Sequence, residues 1–432
     1  MMRRLLTLVL VSAGLVSVAS AQRAGEGSVY SRFGLGEMSP RYSSKSHALG
    51  GGGLAYSASS FVNLANPASL SDQVLTRLSG GLRFEGIETT DALDVQSKLS
   101  SSTFDGLSVG LPLLSGKLGL GLGFSKMTRV GYQINVVNRL DLGPEVDSGE
   151  QYAASYQGTG GLNVISLGGG YRFNRNLSVG LRGDVVFGLI EDAQETLFFD
   201  SRFTDTRLVR STRLRGASAG VGVRATLRGL LRDGDFLNIG AAFDLPTHLS
   251  GERVLAEGED ETPDTLGVPI SGTADLPFSM AVGLLYQPSA TLSVNADVRY
   301  EPWSEFESSF AFPGYVPGVS SNFSDRRHLS AGIEYFPAGR DLFASYLQQT
   351  AYRLGFFHES GYVSPDAAER VNTFGITSGL SLPTLSAGTR IDINLDVGTR
   401  GTAAGSLVRD RFIRIGLHFN FAERWFARRQ LG

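Results

Sequence analysis

The feature that most constrains this chain is a series of segments, each about ten residues long, in which apolar and polar residues alternate. Leu177, Val179, Leu181, Gly183 and Val185 alternate with Ser178, Gly180, Arg182 and Asp184, and Leu292, Val294, Ala296 and Val298 alternate with Ser293, Asn295, Asp297 and Arg299. A period of two describes a strand with one apolar and one polar face. Charges on the polar face, many hairpins and no helical interruption point to a barrel closed in lipid, apolar outside and wet inside. The expected class is all-β, a transmembrane antiparallel β-barrel.

The start of the sequence agrees with export. Arg3 and Arg4 precede the apolar stretch 5–18, and Ala19-Ser20-Ala21 fits a cleavage site, so residues 1–21 read as a signal peptide. The stretch is shorter than the roughly 20 residues that span a bilayer as a helix. The implied location is the bacterial outer membrane. Across 432 residues no linker divides the chain, which favours one large unit. There are 55 Gly, 26 Phe and 14 Tyr, a mix suited to a barrel with aromatics at the lipid interface. With no Cys there is neither a disulfide nor a thiolate metal site, and a net charge of −3 gives no basic field for nucleic acid.

Hairpins are read at 107–113 with 118–125, 166–173 with 177–187, 218–227 with 236–244, 279–287 with 291–300, 329–336 with 342–349, and 373–383 with 390–398. A first strand at 77–85 and a last at 412–421 bring the count to about 14. The connections 86–106, 126–165, 188–216, 245–278, 301–328, 351–372 and 399–411 are long and fall on the other side, the outer-membrane asymmetry. The acidic run 257–264 reads as a solvated loop tip, since it lacks the spacing of a calcium loop. Residues 22–72, with Gly50 to Gly53 and Asn66-Pro67-Ala68, alternate too little to be wall and are expected as a hatch in the lumen of a barrel over 73–432.

Those residues carry a family resemblance. The Gly-rich stretch leading to Asn66-Pro67-Ala68, the strand ending Tyr300-Glu301-Pro302-Trp303-Ser304-Glu305-Phe306, and Tyr352-Arg353-Leu354-Gly355-Phe356 resemble the FadL/TodX-type outer-membrane transporters of long-chain fatty acids and other hydrophobic compounds. Tyr30 to Gly36 and Glu423 to Phe426 are similar to divergent members from Bacteroidetes-type bacteria. The resemblance implies 14 strands, an N-terminal hatch and passive uptake of fatty acids or hydrocarbons. Capture would be at the outer loops and release sideways through the wall into outer-membrane lipid, because an apolar molecule gains nothing by crossing water.

The strand Leu118-Gly119-Leu120-Gly121-Leu122-Gly123 bares one face at Gly119, Gly121 and Gly123. Such a face suits either a lateral opening or close packing of hatch backbone. Phe33, Phe61 and Leu64 are candidates to line a ligand pocket on the path past Asn66, Pro67 and Ala68.

Two other classes are weighed. An enzyme is disfavoured: His47, His248, His328, His358 and His418 are scattered, most in expected loops, and no nucleophile elbow, Walker loop, dinucleotide fingerprint or metal-ligand motif appears. No cofactor is expected. A docking barrel that holds a protein partner or secretion cargo is the alternative, with Phe310, Phe312, Pro313, Tyr315 and Pro317 as an aromatic and proline patch in one outer loop. The barrel is expected as a monomer.

Overall fold

The computed structural model describes residues 27–39, 43–139, 151–199, 203–258, 264–339, 341, 343–365, 370–386, 388–405 and 407–424. The signal-peptide reading, the first residues of the expected hatch, most of the acidic run and the terminal Trp425 and Phe426 lie outside the described residues.

Alternation with charged inward positions closes fourteen antiparallel strands into one barrel. The first half comprises β1 (Thr76–Thr90), β2 (Gln96–Leu114), β3 (Leu118–Lys126, continuing as Thr128–Arg139), β4 (Gln151–Arg172), β5 (Leu177–Phe198), β6 (Thr206–Arg228) and β7 (Phe236–Asp244, continuing as Thr247–Glu257). The second half comprises β8 (Ile270–Leu276, continuing as Ser279–Gln287), β9 (Leu292–Glu301), β10 (Arg326–Tyr335), β11 (Ala351–Ser360), β12 (Asn372–Pro383), β13 (Arg390–Gly401) and β14 (Arg409–Glu423). Each strand pairs with the next, and β14 returns to β1 in register from Thr76↔Glu423 to Thr90↔Arg409. Closure satisfies backbone groups that lipid cannot. On β5, Leu181, Val185 and Leu189 are exposed outward while Ser178, Arg182 and Asp184 are buried inward.

The strands are longer than their apolar alternation suggests. β4, β5 and β6 run for 22, 22 and 23 residues, so most of the expected loops 126–165 and 188–216 is wall. Toward the long-loop end β5 carries Glu191, Asp192 and Glu195, and β6 carries Arg207, Arg210 and Arg213, which are suited to water rather than lipid. The ladder continues there, but the apolar face that reveals a strand in sequence has ended.

The eleventh strand is a correction. It is Ala351–Ser360, within an expected loop, and residues 343–349 are turn and irregular chain. Phe343, Tyr346 and Leu347 alternate only loosely and are exposed at the short-turn end, whereas buried Ala351 and Arg353 alternate with exposed Leu354.

Residues 27–73 bond to inward-facing side chains from several sides of the wall: Asn394 donates to Ser44 O, Arg182 to Leu64 O, and Gly53 N–H to Asp297. These residues contain α1 (Ser44–His47), 3₁₀ turns at Val29–Arg32 and Pro67–Asp72, and a two-residue strand, Glu37–Met38, paired with Arg129 and Thr128 of β3. The segment reaches from the long-loop end, where Gly34 N–H donates to Pro313 O at 2.9 Å, to the short-turn end, where Gly116 N–H donates to Gln73 O at 3.0 Å.

Deleting residues 409–432 removes the whole β14 ladder to β1 and β13. The expected outcome is loss of the compact, heat-modifiable band in unheated gel electrophoresis of membrane fractions; a truncated chain that still runs compact contradicts the closure.

Candidate functional site

The Asn66-Pro67-Ala68 motif sits on a floor of inward-facing glycines. A β-carbon at Gly119 would stand 2.1 Å from Leu70 O, one at Gly170 2.4 Å from Pro67 O, and one at Gly180 2.3 Å from Pro67 C. Gly121 and Gly123 face Leu70 and Leu64 in the same way. The bare face of β3 is therefore covered by packed chain, and its ladder is continuous through these glycines on both sides. Asn66, fully buried, donates from Nδ2 to Leu54 O at 2.9 Å and Val223 O at 3.1 Å, and its Oδ1 accepts from Ala68 N–H at 3.1 Å. Pro67 fixes the first backbone angle of the 3₁₀ turn. The matching glycines on β4, β5 and β6 (Gly170, Gly180 and Gly222) show no alternation signal of their own, because they interrupt polar inward faces.

Charge fills the remaining interior. Glu37 accepts from Arg129 at 3.2 Å and Arg414 at 3.2 Å, and also from Arg400; Glu85 accepts from Arg129 at 2.5 Å and Arg414 at 2.6 Å. Three guanidinium groups from separate wall strands thus converge on one buried carboxylate. Further along, Lys45 and Arg353 meet Glu334 at 2.6 and 2.7 Å, and Arg326 meets Glu301 and Glu359 at 3.1 and 2.6 Å. Each cluster ties wall strands to one another or to residues 27–73.

Small cavities sit between them, among them one of about 170 Å³ beside Lys45, Glu334 and Arg353. Another, of about 80 Å³, is lined by Glu37, Arg83, Glu85, Arg129, Arg400 and Arg414 among others. A third, of about 70 Å³, brings together the expected Phe61, Leu64 and Gly123 with Phe124, His418 and Asn420. Pockets for small organic ligands are roughly 300–1,000 Å³. Phe33 does not join Phe61 and Leu64; it packs at the long-loop end with Leu35.

At that end Trp303, Phe306, Phe310, Phe312, Tyr315, Phe323 and Tyr362 form one buried cluster over Leu35. The Tyr362 hydroxyl accepts from Leu35 N–H at 3.2 Å and lies 2.7 Å from Gly36 O. The loop aromatics read as an exposed patch are thus the underside of a cap, held by contact with residues 33–38. Three histidines depart from expectation: His248, His328 and His358 lie on strands rather than loops, because the strands extend past their apolar parts, while His418 is on the last strand and His47 on α1.

The seam between β2 and β3 is incomplete among the described residues. β2 and β3 pair only from Leu107↔Phe124 to Leu114↔Leu118, with a bulge near Pro112. Beyond Met127, β3 pairs with β4 and with Glu37–Met38, and among the described residues 96–106 of β2 pair only with β1. The outward side chains of this free edge include Gln96, Lys98, Ser100 and Ser102, all exposed.

A family model described as BamG matches residues 1–432. The chain belongs to the BamG family. Solved structures give the fold. The Ralstonia pickettii toluene transporter TbuX is 16% identical, with 88% of this chain and 97% of that one covered at a TM-score of 0.56. For a Pseudomonas aeruginosa FadL homologue the values are 12%, 89%, 99% and 0.58, and for the Pseudomonas putida toluene transporter TodX 15%, 88%, 98% and 0.53. This BamG-family chain therefore has the FadL/TodX-type barrel fold. A search of curated proteins finds no match.

Two substitutions test the seating of residues 27–73. Glu37→Gln leaves the arginines around it short of a countercharge and is expected to weaken the seat by about 3 kcal/mol, read as faster hydrogen exchange over 27–73 with the barrel intact. Gly180→Val is expected to expose residues 64–71 to protease; protection equal to the unsubstituted chain contradicts the packing.

Proposed function

We propose that this chain is a sealed outer-membrane barrel that docks a protein partner at the opening between β2 and β3. The observation that carries the reading is the free edge at residues 96–106. Unpaired strand N–H and C=O groups accept a further strand, and polar outward side chains place the edge against water or protein rather than hydrocarbon. The interior supports the same reading: its cavities are small, and the one at the opening is lined by ionised groups, against which an apolar molecule gains little. The packed segment 27–73 then acts as a fixed hatch that keeps the membrane sealed.

A second reading has its own support. The fold is shared with proteins named as toluene transporters, and a cavity that includes Phe104 and Phe357 lies behind the opening. On that reading fatty acids or hydrocarbons are captured at the cap and pass out through the wall once the hatch shifts.

A photo-crosslinker at Lys98, Ser100 or Ser102 in native membranes is expected to form an adduct with one protein that also copurifies in stoichiometric amount, while the same group at lipid-facing Leu181 forms none. No protein adduct, together with labelled toluene or fatty-acid uptake that depends on this chain, overturns docking in favour of transport.

A further inference from the structure

We propose that His47, Asp105 and His418 form a binding site for a divalent transition-metal ion, with Zn²⁺ as the occupant their chemistry fits. The inference is independent of whether the barrel docks or transports. His418 Nε2 lies 3.1 Å from Asp105 Oδ2 and His47 Nε2 lies 3.8 Å from it, and one donor atom from each residue falls within 4.8 Å of the others. Four-coordinate zinc with ligand bonds of about 2.0–2.1 Å holds its donors roughly 3.4 Å apart. The observed separations bracket that spacing, so small side-chain movements complete a three-ligand set with water in the fourth position.

Three separate elements are shaped to bring these groups together. Asp105 is the extra residue of a β-bulge: Gly81 pairs with Gly106 and Leu82 with Phe104, and Gly106 has φ +126°. Bulges re-aim a side chain at the cost of a ladder bond. Opposite His418 on the neighbouring strand is Gly81, where a β-carbon would stand 2.1 Å from the imidazole Cδ2. Only glycine leaves the ring its place. His47 comes from α1 and stacks on His418 with ring centroids 5.2 Å apart.

The surroundings suit a dication. Arg83 Nη2 is 2.9 Å from Asp105 Oδ1, holding the carboxylate by the oxygen that faces away from the imidazoles, the usual task of an outer partner at a metal site. Its distances to His47 Nδ1 and Nε2 are 3.1 and 3.0 Å. The lone pairs of those nitrogens diverge, so an atom equidistant from both sits over the ring face and off either ligand axis. Asp396 lines the same cavity, is nine-tenths buried, and its Oδ1 accepts no hydrogen bond among the described residues. It supplies the second negative charge that a dication beside Arg83 requires. Two imidazoles and one carboxylate select Zn²⁺ and its first-row neighbours over Mg²⁺ or Ca²⁺, which prefer all-oxygen shells. Binding ties α1 to β2 and β14 on either side of β1.

The full chain, purified in detergent, stripped with chelator and judged folded by its heat-modifiable band, is titrated with Zn²⁺ by calorimetry and with Co²⁺ by visible absorption. One Zn²⁺ per chain, undisturbed by excess Mg²⁺ or Ca²⁺, and the intense d–d bands of four-coordinate Co²⁺ are expected. His47→Gln and Asp105→Asn should each weaken Zn²⁺ by about 30-fold or more, in the range that loss of site partners costs. His248→Gln, at the exposed His248–Asp275 pair, should leave it unchanged. Zn²⁺ should also slow proteolysis of residues 27–73 in the unsubstituted protein. Substoichiometric binding, absence of the Co²⁺ bands, or equal affinity in the two ligand variants overturns the site; should the variants fail to fold, the Co²⁺ spectrum and the protease readout decide it.

Discussion

Inward-facing charge has to be neutralised in an interior with little room for water, and most of the architecture follows from the way this is done. Strand alternation forces every second side chain into the lumen, and in this chain many of those are arginine, aspartate or glutamate. Glu37 answers three arginines from β3, β13 and β14 at once, and Lys45 answers Glu334 of β10. A buried charge left alone is far more costly than a buried pair is favourable. Residues 27–73 are consequently part of the wall's own electrostatic balance rather than a loose insert, and the glycine floor beneath Pro67 lets them approach closely enough to provide it.

The aromatic cap belongs to the same logic at the other end. Tyr362 reaches down to the backbone around Gly36, so the long loops and the inner segment hold each other in place. Between cap and floor the cavities stay small, and the one behind the opening has Glu37, Glu85, Arg129 and Arg414 in its wall. The place between β2 and β3 where the wall's ladder is unfinished lies beside one of these cavities.

Lipid writes the parts of a sequence that can be read. Leu177 to Val185 and Leu292 to Val298 face hydrocarbon on alternate residues, so their strands, the hairpin order and the closing role of β14 are visible from period alone. Beyond the apolar band the ladder persists but its outward residues become Lys98, Ser100 or Glu191, and nothing in the sequence distinguishes them from loop. That is why the opening beside β2 is invisible, and why histidines on strands read as loop residues. Asn66-Pro67-Ala68 was legible as a special element, but its seat was not: Gly170, Gly180 and Gly222 come from three strands and acquire meaning only when the barrel brings them together. Asp105 is harder still, since a one-residue bulge leaves no composition signal.

The route of residues 27–73 also fixes an order of events. The segment is joined at its end to β1, the strand that must meet β14 to close the barrel, and its far end lies under the cap beside Val408 and Asp410. Once β1 and β14 have zipped, that far end reaches the cap only through the narrow opening between β2 and β3 or by threading the full height of a lumen crowded with arginines. Closing the seam last, around a segment already paired with β3 through Glu37 and Met38, avoids the passage. The two-residue strand is then a placeholder, holding the chain against an open wall until the final ladder forms.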